Sequence, residues 1–311
     1  MARTKAKRRR ERRPIEAPEE DYQPRWVGRV TWLAIAVVAA GGAFFYAKKQ
    51  ATAPAEQVAP PAIGLPHTPD YHALLVSATD ARQLVLGTHA GLYVSSDGGR
   101  SWRAGELAGH DAMNLVRTKS GTVWAAGHNV LFRRTDDAGT WETVRPSGLP
   151  GLDLHGFAVD STDGETLYAA VAGEGLYRSS DGGGTFSLVS EEVGGSVFGL
   201  AILPGGRVLA ADSNRGVLAS DDGGASWNVV LQAPVVGLAV NPADARVVLA
   251  AGAAVHLSQD GGRTWRKVFT PRDGGGPVAW APSEAKVAYL IGYDRVLYRT
   301  ESGGRGWRAV R

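Results

Sequence analysis

Four of the seven histidines in the chain occupy repeated positions relative to a recurring eight-residue phrase. His89 and His128 each lie eight residues before the central Asp of a copy of the phrase, and His72 and His155 lie 25 and 26 residues before one. Imidazoles that recur in register on successive repeats should project from the same end of each repeat. The spacing therefore predicts a cluster of imidazoles contributed by separate loops.

Two carboxylates and one more imidazole are expected in the same region. His110 and Asp111 lie in the link that enters the second repeat, and Asp153 precedes His155 by two residues. Imidazoles and a carboxylate from separate loops can bind a transition metal such as copper or zinc. If His89, His128 and His155 converge, they are the candidates to share such an ion, with His72, His110 or Asp153 completing the set. The full candidate set comprises His72, His89, His110, Asp111, His128, Asp153 and His155.

The same side chains have three other interpretations. They can bind an acidic partner, they can form a hydrogen-bonded collar inside a channel, or each can satisfy backbone groups at its own turn. His256 is interpreted as strand packing, because it replaces the aromatic residue found at Tyr93, Phe132 and Tyr177 in other repeats.

The recurring phrase is what must position these residues. Its first clear copy is SSDGGRSW from Ser95 to Trp102, and six copies follow one another at steps of 39, 45, 41, 38 and 42 residues. A period of about 40 residues is typical of propeller blades or solenoid repeats. The central residues are Asp97, Asp136, Asp181, Asp222 and Asp260, with Ser302 in the sixth copy.

Each repeat contains three short apolar runs before the phrase and one after it, separated by Gly-rich turns. This pattern indicates strands and hairpins, and no stretch of helical period in the repeats is long enough to compete with them. Four antiparallel strands repeated six times predict an all-β, six-bladed β-propeller. The Asp of each phrase is expected to accept hydrogen bonds from its own turn, which makes these residues structural.

The phrases resemble the Asp-box, or BNR, repeat of sialidase-type propellers, and the resemblance covers roughly residues 67–311. Segments such as THAGLY, GHNVLF, LDLHGFAV and DYHALLV also resemble a narrower bacterial family of Asp-box propellers that is labelled glycosyl hydrolase by similarity. A weaker resemblance to the propellers that assist photosystem II assembly rests on the boxes alone. These resemblances imply a propeller fold and leave its activity open.

Catalysis is the less favoured interpretation. The Arg-Ile-Pro phrase that a sialidase carries before its first box is absent, and the best pair resembling a Tyr nucleophile is Tyr293 with Asp294. An ordinary glycosidase needs two carboxylates about 5–10 Å apart, and spacing singles out no such pair. The candidates are Asp111, Asp153, Glu174, Asp212 and Asp294. We therefore expect a non-catalytic binding or scaffold module, with a glycoside hydrolase as the alternative.

The N-terminal region predicts a membrane anchor. Residues 30–47 are uncharged, and 18 residues of helix span nearly the ~30 Å of a bilayer core. Ten Lys and Arg precede this segment and two follow it closely, which predicts a cytoplasmic N-terminus and an extracytoplasmic propeller. A cleaved signal peptide is the rival. The expected organisation is a basic tail (1–29), a transmembrane signal anchor (30–47), an Ala/Pro-rich tether (48–66) and the propeller (67–311).

Charge restricts the expected partners. Residues 1–49 hold 12 of the 34 basic and 5 of the 31 acidic residues, so the remainder carries 22 basic and 26 acidic residues. The basicity belongs to the tail, and no nucleic-acid surface is expected on the propeller. The expected partners are the membrane and an envelope protein or glycan. The lack of cysteine excludes lipid attachment through a thiol.

Overall fold

The computed structural model describes residues 64–311, which form six four-stranded antiparallel sheets. Within these residues no helix is long and apolar enough to cross a membrane. The predicted tail (1–29) and anchor (30–47), and all but the end of the tether (48–66), lie outside the described residues. The six-bladed, all-β architecture expected from the repeats is confirmed.

Each blade uses four strands that are consecutive in the chain. Blades one to three comprise β1 (Ala73–Val76), β2 (Leu84–Thr88), β3 (Gly91–Ser95) and β4 (Arg103–Ala104); β5 (Asn114–Arg117), β6 (Val123–Gly127), β7 (Val130–Arg134) and β8 (Glu142–Thr143); and β9 (Leu154–Val159), β10 (Leu167–Val171), β11 (Gly175–Ser179) and β12 (Ser187–Ser190). Blades four to six comprise β13 (Val197–Ile202), β14 (Val208–Asp212), β15 (Gly216–Ser220) and β16 (Asn228–Leu231); β17 (Val235–Val240), β18 (Val248–Gly252), β19 (Val255–Ser258) and β20 (Arg266–Phe269); and β21 (Gly275–Trp280), β22 (Ala288–Gly292), β23 (Leu297–Thr300) and β24 (Arg308–Ala309).

The core lies between blades. The second strands of blades two to six are buried along their whole length, and they are Ala- and Val-rich because both faces of each sheet are covered. Between blades two and three, the rings of Trp124 and Phe157 lie 5.7 Å apart. Blade six packs on blade one through Tyr289 and Leu297 against Leu84, so the ring closes by apolar contact without an exchanged strand.

The Asp boxes fold their own turns. In blade one, Asp97 Oδ1 accepts the backbone N–H of Arg100 at 2.9 Å and of Ser101 at 3.0 Å, and Oδ2 accepts the Ser101 hydroxyl at 2.6 Å. These hydrogen bonds, above all that from the Ser101 hydroxyl, lower the pKa of Asp97 to about 2. Gly99 has φ +88°, and an added Cβ would lie 2.0 Å from Leu297, so only glycine fits this turn.

The same arrangement recurs at Asp181, Asp222 and Asp260. The second copy is reduced, since Asp136 accepts only the N–H groups of Ala138 and Gly139. In the sixth copy Ser302 Oγ accepts the N–H of Gly306 at 2.9 Å. The box carboxylates thus accept hydrogen bonds from backbone groups of their own turns.

Candidate functional site

Antiparallel connectivity separates the two ends of every blade. The turn between the second and third strands lies at the same end as the start of the first strand, and the box turn lies at the opposite end. We call the first end the mouth face. His89 and His128 directly follow β2 and β6, His72 precedes β1, and His155 is the second residue of β9. All four imidazoles therefore arise at the mouth face.

A first group of ligand-type side chains comes from blade one. His72 Nε2 lies 3.2 Å from His89 Nε2 and 3.2 Å from Asp70 Oδ1. Asp70 Oδ2 lies 2.9 Å from His89 Nε2. We call Asp70, His72 and His89 the first triad. Burial lowers the pKa of His72 below its usual value of 6.5, against the opposing effect of Asp70, and this favours the neutral imidazole.

A second group spans blades two and three. His128 Nε2 lies 3.2 Å from His155 Nε2 and 3.0 Å from Asp153 Oδ1, and that oxygen lies 3.4 Å from His155 Nε2. We call His128, Asp153 and His155 the second triad. A backbone bridge between His128 and Asp153 holds the two blades in this register. The second triad repeats the first in composition, but one oxygen of Asp153 contacts both imidazoles whereas Asp70 uses its two oxygens.

Asp111 joins the two triads. Its Oδ2 lies 2.5 Å from His89 Nδ1 and 2.6 Å from His128 Nδ1, and the two imidazole rings are nearly parallel with centroids 6.2 Å apart. The Asp111 side chain is only 11% exposed. An added Cβ at Gly127 would lie 2.1 Å from the Asp111 carbonyl oxygen, so a glycine before His128 lets the Asp111 backbone approach.

These contacts define the protonation states that the site requires. Because His89 and His128 each turn Nδ1 to a carboxylate, each carries its proton on Nδ1 when neutral and has a lone pair on Nε2. That lone pair faces a carboxylate oxygen and a second imidazole nitrogen in both triads. In each triad these acceptor atoms face one another at close range. Either extra protons or a cation must therefore lie between them.

The cluster borders a cavity of about 250 Å³ over the central channel. Asp70 and His72 line it together with Met113, Phe198 and Tyr293. The Phe198 ring also lies 5.2 Å from the His155 ring and nearly parallel to it, so one aromatic side chain contacts both the cavity and the second triad. The Nδ1 atom of His155 is buried without a hydrogen-bond partner.

Sequence reasoning missed one ligand-type residue. Asp70 precedes His72 by two residues just as Asp153 precedes His155, and this repeated Asp-x-His pattern was the signal that could have identified it. His110 does not join the cluster, because its ring packs against Phe132 with centroids 5.1 Å apart.

Among the described residues, no close group of ligand atoms contains His89, His128 and His155 together. His89 and His128 meet at Asp111, and His128 and His155 meet at Asp153. Tyr293 and Asp294 do not pair either, since Asp294 Oδ2 accepts the hydroxyl of Tyr298 at 2.6 Å. Asp212 is fully buried and is bound by Arg215 and Ser196.

Comparison with known proteins agrees with the fold. The sequence profile of the photosynthesis system II assembly factor YCF48 matches residues 70–218, a little under half of the chain. A xyloglucanase from Paenibacillus sp. is 29% identical over 144 residues, covering 36% of this chain and 14% of the relative. The chain thus corresponds to about one seventh of that enzyme's length.

Two solved structures are informative. The GH74 xyloglucanase from Xanthomonas campestris aligns with a TM-score of 0.55 and 18% identity, covering 82% of this chain and 46% of the enzyme. YCF48 bound to a D1 peptide aligns with a TM-score of 0.50 and 18% identity, covering 79% and 84% of the two chains. At these identities the likeness concerns the fold. The chain is a BNR-type six-bladed β-propeller with similarity to glycosyl hydrolases.

Proposed function

We propose that this chain is a membrane-anchored, extracytoplasmic binding module whose mouth face holds a transition-metal ion, zinc or copper, and docks a protein partner. The function is proposed to be non-catalytic: to scaffold or assemble an envelope complex. Residues 30–47 would be the anchor and residues 48–66 the tether, which leaves the propeller free to orient toward a partner near the membrane.

The observation that carries the metal assignment is the convergence of acceptor atoms in the triads. In the first triad the two Nε2 atoms lie 3.2 Å apart, and they lie 3.2 and 2.9 Å from the two different carboxylate oxygens of Asp70. Ligand atoms around one tetrahedral zinc, with bonds of about 2.0–2.1 Å, lie about 3.3 Å from one another. Two imidazoles and a carboxylate suit zinc and copper better than magnesium or calcium, which prefer oxygen ligands alone.

Two observations support a binding role. The triads are partly open to solvent and border the cavity over the channel, so a side chain of a partner can reach the remaining coordination position of an ion. YCF48, a propeller of the same fold, has been solved with a D1 peptide. A protein or peptide is therefore the class of partner that we propose for this mouth face.

Metal analysis of the purified full-length chain tests the proposal. After exposure to zinc or copper and removal of free metal, the wild-type chain should retain metal, and the His89→Ala/His128→Ala double variant should retain none. His110→Ala is the matched control, because His110 lies at the same face but outside the triads. Absence of metal from the wild-type chain, or equal retention in all three proteins, would contradict the assignment.

A glycoside hydrolase is the second candidate, and the similarity to a xyloglucanase is the observation that favours it. Hydrolysis of xyloglucan by the wild-type chain, abolished by Asp111→Asn or Asp153→Asn, would establish it in place of the binding role. Hydrolysis that survives both substitutions would point to another carboxylate of the chain, such as Glu174, or to a contaminating enzyme. We expect no turnover above that of a buffer control.

A further inference from the structure

We infer that the mouth face holds two metal ions per chain, one in each triad, and that Asp111 is a positioning residue shared by both. This inference rests on the proposed metal-binding function and adds its stoichiometry, its ligands and the coupling between the two centres. The first ion would be held by Asp70, His72 and His89, and the second by His128, Asp153 and His155.

The two triads are complete and separate. Each supplies two imidazole Nε2 atoms and one carboxylate, and no residue belongs to both. In the second triad the separations are 3.2, 3.0 and 3.4 Å, which again match the spacing of about 3.3 Å expected around one four-coordinate ion. A single ion cannot bind both triads, because the ligand atoms of the first triad and those of the second do not form one close group.

The middle of the cluster is held by hydrogen bonds rather than by a third ion. Asp111 Oδ2 lies 2.5 and 2.6 Å from the Nδ1 atoms of His89 and His128. These separations are below even the about 2.7–2.9 Å of charge-assisted N–H···O hydrogen bonds and well below the spacing of about 3.3 Å between two ligands on one ion. The middle group of His89, Asp111 and His128 is therefore a link between two centres.

Asp111 acts on both ions through the imidazoles. A carboxylate that accepts Nδ1–H fixes the tautomer of a metal-binding histidine, orients its ring and makes its Nε2 a better ligand. One oxygen of Asp111 does this for His89 in the first triad and for His128 in the second. Its negative charge also lies between the two proposed cations and offsets their mutual repulsion.

Titration of the metal-free full-length chain with zinc, followed by isothermal calorimetry and elemental analysis, tests the inference. The wild-type chain should bind two zinc ions. His72→Ala should keep only the ion of the second triad, and His155→Ala only that of the first. His110→Ala should bind two, and circular dichroism should show that every variant keeps the fold.

The positioning role of Asp111 has its own readout. Asp111→Asn should weaken both sites about 10- to 100-fold, and Asp111→Glu should restore part of the affinity. Cobalt(II) in place of zinc should give two sets of visible absorption bands in the wild-type chain, both altered in Asp111→Asn and unchanged in His110→Ala. An effect of Asp111→Asn on only one of the sets would overturn the shared role.

The outcomes separate this inference from the proposed function. One zinc per wild-type chain, lost entirely in His72→Ala or in His155→Ala, would overturn the two-ion arrangement and leave a metal-binding propeller. No zinc in the wild-type chain would refute the metal function itself and would leave protons to neutralise the converging acceptors.

Discussion

Removal of one box carboxylate tests directly whether the box turns serve folding and the mouth face serves binding. Asp260 in blade five accepts the N–H of Arg263 at 3.0 Å and of Thr264 at 2.9 Å through Oδ1. Its Oδ2 accepts the Thr264 hydroxyl at 2.5 Å, and Ser258 donates to Oδ1 at 2.8 Å. Asp260→Ala removes the common acceptor of all four donors and leaves the apolar contacts between blades in place.

The expected loss follows from the number and exposure of these donors. A hydrogen bond contributes about 0.5–1.5 kcal/mol net, and a donor left without a partner costs about 1–3 kcal/mol when buried. The turn around Asp260 is only half-buried, so water can replace part of what is lost. We therefore expect Asp260→Ala to lower the free energy of unfolding by about 1–3 kcal/mol, which corresponds to a fall in Tm of roughly 2–12 °C.

Thermal and urea unfolding of wild type, Asp260→Ala and Asp260→Ser measures this effect. Asp260→Ser copies the sixth box, in which Ser302 Oγ still accepts one backbone N–H, so it should lose less stability than Asp260→Ala. Zinc content should be unchanged in both variants. Wild-type stability in Asp260→Ala combined with loss of zinc would refute the assignment of the boxes to folding and of the mouth face to binding.

Three further predictions concern pH, a glycine and topology. Hydrogen bonds hold the folded-state pKa of three box carboxylates at about 2, below the usual 3.8. These residues are Asp97, Asp222 and Asp260. The stability that these ionised carboxylates contribute is therefore present above about pH 4 and should be lost as the pH falls toward 2. Urea midpoints that do not change with pH over this range would contradict this prediction. Gly99→Ala should lower the free energy of unfolding by about 1–3 kcal/mol or more, because of its positive φ and the clash of the added Cβ with Leu297. In the same melts Gly303→Ala, whose added Cβ meets no atom within 4 Å, should show only the cost of its positive φ. Equal Tm values for the two variants would argue against the clash. A reporter fused after Arg311 should be active only outside the cytoplasm, and activity of a cytoplasm-only reporter there would overturn the proposed topology.

The fold could be predicted from the sequence because its determinants are local. The six phrases specify turns by their own glycines and carboxylates, and the runs between them are the length of strands. The position of the histidines along each blade was predictable as well. Counting from the box Asp assigns His89 and His128 to the turn after the second strand, where the structure has them.

The composition of the triads could not be predicted in the same way, because it depends on distances between blades. His110 and Asp111 are adjacent in sequence, yet the His110 ring packs on Phe132 while the Asp111 carboxylate reaches two imidazoles. Asp70 does not stand out in a count from the boxes, because Asp70, Asp111 and Asp153 lie 27, 25 and 28 residues before their box residues. Metal binding at these residues stays a prediction.

Repetition of the blades also explains why Asp111 differs from the other two carboxylates. Asp70 and Asp111 each lie three residues before the first strand of their blade, whereas Asp153 lies one residue before β9, where the strand pairing shifts at a bulge. The residue two positions after each Asp is His72, Met113 and His155 in turn. Blade two therefore offers a thioether that lines the channel cavity in place of an imidazole.

Without a histidine two positions later in its own blade, Asp111 contacts through Oδ2 the imidazoles that follow the second strands of blades one and two, and its Oδ1 lies 3.7 Å from His72 Nε2. His89 and His128 each have two nitrogens on opposite edges of the ring, so each contacts Asp111 on one side and the carboxylate of a triad on the other. Carboxylate and imidazole then alternate along the array, which ends at His72 and His155. On this argument Met113, in the place that a histidine takes at the other two entries, is what leaves two terminal triads joined by one shared carboxylate.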